Sequence, residues 1–164
     1  MFRVGQGFDV HAFSAERRLI LGGIEIPCAR GGLAGHSDAD ALAHAVASAL
    51  LGSLALGDLG THFPDTDPRW KNVSSLDLVR RVAAMVHDRG WIVVNCDSTV
   101  IAQEPRLAPH VARMRTNLAS ALAVEVDRVS VKATTAEGLG ALGRVEGIAA
   151  QALVTIATVE AARG

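Results

Sequence analysis

Phe2-Arg3-Val4-Gly5-Gln6-Gly7-Phe8-Asp9-Val10-His11 opens the chain, and its reading decides how the rest is arranged. Read as an extended strand, it projects Asp9 and His11 from one face, because side chains two residues apart share a face. A carboxylate and an imidazole at a strand end make two thirds of a metal site. An Asp-x-His pair is also an ordinary turn residue beside a solvated histidine, so its meaning depends on what converges on it.

The next informative stretch is His36-Ser37-Asp38-Ala39-Asp40, which follows the glycine-rich break Gly31-Gly32-Leu33-Ala34-Gly35. Ser37 has the chemistry of a helix N-cap and Asp40 that of its acidic capping-box partner, ahead of the apolar residues 41–56. On that helix Leu42, Val46, Ala49 and Leu50 form one face. Asp40, His44 and Ser48, spaced by four, form another. His44 is thereby available to Asp9 and His11.

Elsewhere the pattern alternates strands and helices. Residues 18–26 read as a hairpin about Gly22-Gly23. An acidic loop with two prolines, Asp58-Leu59-Gly60 to Phe63-Pro64-Asp65-Thr66-Asp67-Pro68, has the length of a binding loop or lid. Residues 74–89 form a helix, with Ser74 and Asp77 as its capping signal and Gly90 as its stop. Residues 91–102 read as a core strand, followed by a helix beyond Pro109 that buries Val111, Met114, Leu118 and Leu122. Strands at 129–134 and 148–159 complete the chain, the last apolar on both faces and therefore in need of two covers. With few helices to spare, the second cover is expected from other subunits. The fold expected is α+β: a two-layer sandwich on a four-stranded mixed sheet in β-α-β-α-β-β order, chorismate-mutase-like or ferredoxin-like in layering, with an inserted β-hairpin. Residues 1–164 read as one domain.

Composition excludes several functions. Lys+Arg total 16 against Asp+Glu 17, and aromatics make up 4% of the chain, so the basic groove and stacking platform of a nucleic-acid binder are missing. Cys28 and Cys96 form no C-x-x-C unit, which argues against a zinc knuckle or disulfide scaffold and suits a reducing compartment. No basic segment leading into a long apolar run marks a secretory signal, and the most apolar window is too short to span a bilayer. A cytoplasmic protein with no membrane partner is expected.

Asp9, His11 and His44 form an N/N/O set whose fourth tetrahedral position stays open, the pattern of a catalytic zinc. Such an ion polarises a carbonyl or phosphoryl oxygen. Downstream, Ser130-Val131-Lys132-Ala133-Thr134-Thr135-Ala136-Glu137 gathers a cation, hydroxyls and a carboxylate near a strand end. Lys132 and the hydroxyls suit phosphate, and Glu137 suits a hard cation such as magnesium. On these residues alone, a zinc hydrolase and a non-catalytic binding protein for a nucleotide or isoprenoid diphosphate stay open.

Gly5 to His11, His36 to Asp40 with His44, Asp58-Leu59-Gly60, Phe63 to Asp67, and Lys132-Ala133-Thr134-Thr135 through Gly143-Arg144-Val145-Glu146-Gly147 together resemble the ordered motifs of the 2-C-methyl-D-erythritol 2,4-cyclodiphosphate synthase family. The resemblance spans nearly the whole chain. It implies a cytoplasmic homotrimer with active sites between subunits, in the non-mevalonate route to isoprenoid precursors. The substrate implied is 4-diphosphocytidyl-2-C-methyl-D-erythritol 2-phosphate, cyclised with loss of CMP by a phosphorus-oxygen lyase. Zn2+ is implied at Asp9, His11 and His44, with Mg2+ or Mn2+ bridging the substrate diphosphate at Glu137.

The same resemblance implies the remaining roles. His36 and Thr135 match transition-state stabilisers, and Val10 and Ser37 match residues beside the substrate. Asp58, Leu59 and Gly60 match the ribose and methylerythritol contacts. Phe63, Pro64, Asp65, Thr66 and Asp67 match a flexible loop over the erythritol. Ala102, Gln103, Glu104, Pro105, Arg106, Leu107 and Ala108 match the cytosine pocket. Lys132, Thr134, Thr135, Ala136 and Glu137 match the diphosphate side, supplied by the adjacent subunit. Ala141-Leu142 stands where many members have Phe-Thr at an isoprenoid-binding cavity on the trimer axis, while Arg144 remains there to hold an anion.

Overall fold

The computed structural model describes residues 1–161. The chain runs through β1 (Phe2–Ser14), β2 (Leu19–Leu21), β3 (Ile24–Ile26), β4 (Gly32–Leu33), α1 (Ala41–Ser53), α2 (Leu59–His62) and α3 (Ser75–Asp88). It continues through β5 (Trp91–Ile101), α4 (Val111–Leu122), β6 (Val129–Thr134), α5 (Gly140–Gly143) and β7 (Gly147–Thr158). One mixed sheet has the order β4-β1-β7-β5-β6, and β2 pairs with β3 as a separate hairpin. β7 lies antiparallel to β1 and β5, whereas β5 and β6 are parallel and joined through α4, as a parallel crossover requires.

The sheet has five strands where four were expected. Gly32 and Leu33 pair with Ser14 and Phe13 at its edge. A two-residue strand among glycines has no alternation to read, so this sequence looked like a break.

The two faces of the sheet differ sharply. Gly5, Gly7, Asp9 and His11 share one face with Val154, Ala152, Ala150 and Ile148 of β7, and α1 packs there. Phe2, Val4, Phe8 and Val10 project from the other, where Phe2 is 64% and Phe8 56% exposed and Leu153 of β7 joins them.

Gly5 and Gly7 are what let α1 lie so close to β1. A Cβ on Gly5 would sit 1.9 Å from the Ala49 carbonyl oxygen, and one on Gly7 2.0 Å from that of Ala45. Neither backbone atom can yield without moving the helix.

α1 is buried almost all round, as expected of a helix without a broad polar face. Its exceptions are His44 and Ser48, half-buried and one turn apart, and the exposed Gly52 near its end. Two helix starts differ from expectation. The N-cap of α1 is Asp40, whose Oδ1 accepts from the Ala43 N–H at 3.0 Å while Oδ2 accepts from Gly23 N–H at 2.7 Å. Ser37 is displaced from that role because Ala39 takes φ +57° and turns the chain between Ser37 and the helix. Burial pushes the Asp40 carboxyl up to about 6 despite these donors. At α3, Ser74 makes no capping bond, and the carboxylate of Asp38 accepts from Ser75 N–H instead.

Candidate metal centre and active site

Three ligand atoms meet where β1 passes α1. Asp9 Oδ2 lies 2.8 Å from His11 Nε2 and 3.1 Å from His44 Nδ1, and the two ring nitrogens are 3.2 Å apart. The alternation of β1 supplies the first two, and the glycine contacts bring the turn of α1 that holds His44 within reach. Donors around a tetrahedral zinc with bonds of 2.0–2.1 Å stand about 3.3 Å from one another, so the triangle is nearly the size the ion requires.

The hydrogen bonds around the triangle fix which atoms face its centre. His11 Nδ1 lies 2.6 Å from the Ala34 carbonyl oxygen, which only accepts, so Nδ1 holds a proton and, when His11 is neutral, Nε2 turns a lone pair inward. His44 Nε2 faces the hydroxyls of Ser37 and Ser75 at 3.0 and 2.9 Å. Burial works against the Asp9 anion, yet the hydrogen bonds and charges of His11 and His44 hold its carboxyl far below the usual carboxylate range. Burial likewise opposes a charged His11, and the Asp9 carboxylate overrides it and raises the His11 pKa. The cluster is thus a place where a cation is stabilised.

The triangle opens into a cavity of about 310 Å³. His36, Ser37, Asp58, Leu59, Gly60, Phe63 and Asp65 line it, as do Ser48, Trp70, Val73 and Leu78. Asp58 caps α2 through Thr61 N–H at 2.8 Å, and that bond with the Thr61 hydroxyl keeps its carboxyl low. Over the cavity, Phe63 meets Trp70 edge to face at 5.0 Å, while Arg69 and Arg81 lie against the Trp70 ring. Pro64, Thr66 and Asp67 do not line the cavity. Asp67 turns outward to Arg69, which lowers its pKa, and its carbonyl oxygen lies 3.3 Å from His36 Nε2. Arg17 grips the carbonyl oxygens of Gly35 and Ser37 on either side of His36.

The second group of candidate residues lies elsewhere in the chain. His11 pairs with Ile148, Ala149 with Ile101, and Ile101 with Thr134, so Thr134 is at the same end of the sheet as His11. It is three strand spacings away, about 14 Å. Alternation also puts Lys132 and Thr134 on the exposed sheet face, opposite Asp9 and His11, and Lys132 Nζ donates there to Asp97 Oδ2 at 2.6 Å. Val10 projects from that exposed face too. Thr135 donates from its hydroxyl to Glu137 Oε1 at 2.9 Å, and Gln103 Oε1 accepts from Gly138 N–H at 3.3 Å. That bond ties the turn containing Gln103, Glu104, Pro105 and Arg106 to the loop holding Thr135, Ala136 and Glu137. Arg144, also exposed, pairs with Glu146 at 2.7 Å. Leu107 is buried, and Ala102 N–H donates to Thr134 O, while Ala108 begins a short 3-10 turn.

Sequence reasoning missed Trp70, Ser75 and Arg17. An aromatic after an Asp-Pro pair was the only signal for Trp70. Arg17 and Ser75 act through backbone and hydroxyl contacts that sequence spacing does not encode.

The YgbB family model matches residues 2–157. The 2-C-methyl-D-erythritol 2,4-cyclodiphosphate synthase of Syntrophomonas wolfei is 58% identical over 154 residues, covering 94% of this chain and 98% of that protein. Among solved structures, the bifunctional IspDF of Campylobacter jejuni superposes with a TM-score of 0.91 at 40% identity, covering 96% of this chain and 42% of that one. A CDP complex of IspF from Plasmodium falciparum gives 0.83 at 29% identity, with 96% of each chain covered. With its sheet, its Asp-His-His triangle and these relatives in agreement, the chain belongs to the YgbB family, that of the 2-C-methyl-D-erythritol 2,4-cyclodiphosphate synthases.

Proposed function

We propose that this protein converts 4-diphosphocytidyl-2-C-methyl-D-erythritol 2-phosphate to 2-C-methyl-D-erythritol 2,4-cyclodiphosphate and CMP. The observation behind this reading is the triangle of Asp9 Oδ2, His11 Nε2 and His44 Nδ1, which opens on a cavity of about 310 Å³, in a chain 58% identical to a synthase of that name. An oxygen of the 2-phosphate attacks the β-phosphorus, the bond from that phosphorus to the oxygen bridging to the α-phosphate breaks, and CMP leaves with the bridging oxygen. This is a phosphorus-oxygen lyase reaction. The nucleophile is already an anion, so no strong general base is needed. The difficulty is to hold two negative phosphates in line.

Asp9, His11 and His44 would hold Zn2+ at the centre. When bound, the ion offsets phosphate charge and polarises a phosphoryl oxygen. Ser37 and His36 line the approach to it, and the Phe63–Trp70 pair shields the cavity from water. Glu137 suits Mg2+ or Mn2+, and Thr134, Thr135 and Lys132 suit the diphosphate, with Thr135 and His36 stabilising the transferred phosphoryl group. The turn at 102–108 would take the cytosine, and Asp58 to Gly60 the sugar and erythritol.

A homotrimer is part of this reading, and the placement of these halves supports a neighbouring subunit. The second half lies on the opposite sheet face about three strands away, which fits a neighbour bringing it to the metal. The exposed apolar face of Phe2, Val4, Phe8, Val10 and Leu153 is the surface such an assembly would cover. Free Cys28 and Cys96 fit a cytoplasmic, reducing setting, and no helix among the described residues is long and apolar enough to cross a membrane.

Phosphorus NMR of the products tests the reading. The expected result is a cyclic diphosphate with stoichiometric CMP, lowered by about three orders of magnitude in His44→Ala, as loss of several kcal/mol of charge stabilisation predicts. CMP with two phosphomonoester signals, and no diphosphate, would identify a hydrolase and refute it.

A further inference from the structure

We propose that Ser75, itself held by Asp38, is the positioning residue that fixes His44 as an Nδ1 metal ligand. The inference rests on the metal centre described above and concerns residues outside it.

The argument is one of proton accounting. Asp38 offers only acceptors, and it takes both donors of residue 75. Ser75 N–H reaches Asp38 Oδ2 at 3.0 Å, and the Ser75 hydroxyl makes a very short contact to Oδ1. The hydroxyl proton of Ser75 is therefore committed to Asp38. What Ser75 Oγ presents to His44 Nε2 at 2.9 Å is a lone pair, so this contact is a hydrogen bond only when Nε2 holds a proton. With Nε2 donating to Ser75, Nδ1 is the nitrogen left to bind an ion; without one it lies 3.1 Å from the Asp9 carboxylate, which only accepts.

Burial limits the partners of His44 Nε2 to the hydroxyls of Ser75 and Ser37. Ser75 is fully buried and Ser37 is 6% exposed, so water does not offer His44 Nε2 an alternative partner. Ser37 plays a different part. Its Oγ accepts from Ala39 N–H at 3.1 Å and lies 3.3 Å from Ser75 Oγ, and its own proton is not committed to a carboxylate. Ser37 can turn that proton toward a phosphate in the cavity, whereas Ser75 cannot.

The carboxylate of Asp38 replaces the missing Ser74 cap at the start of α3, so one side chain sets both the helix start and the ligand orientation. A ligand held through a hydroxyl and a carboxylate is the arrangement whose loss costs metal sites about 10–100-fold in affinity.

The test needs no substrate. Nitrogen NMR of the zinc-loaded protein should show His44 bound through Nδ1 and protonated on Nε2. Zinc competition against a chelator should give Ser75→Ala an affinity about 10–100-fold weaker than the parent, with helical circular dichroism unchanged, and Asp38→Asn should fall between the two. Zinc bound through His44 Nε2 in the parent overturns the proposal even if Ser75→Ala fails to fold. Equal zinc affinity in a folded Ser75→Ala overturns the relay alone, while failure of the parent to take up zinc removes the metal centre and the relay with it.

Discussion

At Asp9 and His11 the metal-free protein keeps a proton where the metal would sit, and this sets a pH dependence. The His11 pKa is raised, so its stabilising contribution is complete below the unfolded value near 6.5 and is lost as pH rises through the folded value. The Asp9 pKa is lowered, so its contribution is present above about 3.8 and is lost as pH falls through the depressed value. Zinc requires His11 to be neutral, so proton and ion compete for one place. The thermal shift produced by a fixed zinc concentration should therefore be larger at pH 8 than at pH 6, each tenfold gain in affinity adding about 1.4 kcal/mol. Calorimetric scans with and without zinc at the two values check this, and a larger shift at pH 6 would contradict it.

Between β1 and α1 the decisive features are absences of side chain. Gly7→Ala would drive a methyl into the Ala45 carbonyl and force the helix outward. The expected cost is about 1–3 kcal/mol, the range for overpacking, with weakened zinc binding because His44 moves with the helix. Denaturant unfolding and zinc titration measure the two together. Much of the arrangement was legible in sequence: period-two alternation put Asp9 and His11 on one side, and four-residue spacing put His44 and Ser48 on the open side of α1. The function of Gly5 and Gly7 was not legible, because a glycine in a strand reports only that something approaches and never what approaches. The cap at Asp40 was misplaced for a related reason. Ser37 and Asp40 both have capping chemistry, and the choice between them turned on the positive φ of Ala39, a property of the fold. The short strand Gly32–Leu33 escaped because its existence depends on an edge offered by β1.

For the whole molecule, the proposed function requires two groups of residues on opposite faces of one sheet to meet. Phe8→Asp, on the open apolar face, should leave the chain folded with its zinc site intact, yet monomeric by light scattering and without turnover. A second prediction follows from the proposed trimer. Mixing His44→Ala with Thr135→Ala chains and allowing exchange should restore part of the turnover that each lacks, since some junctions then pair an intact half from each variant. No recovery after confirmed exchange would mean that both halves belong to one chain. The long strands and the sequence motifs were readable along the chain, but the sheet face on which Lys132 and Thr134 emerge was not. The shift between Val93 and Asn95 alters the alternation of β5 and with it the inference for its neighbour β6. That placement also has a genetic consequence. In a closed ring each chain borders two junctions, lending its Asp9 face to one and its Thr134 end to the other. A copy defective at both ends would spoil every junction it touches, so such an allele would act dominantly over a normal one, whereas alleles defective at one end would complement each other.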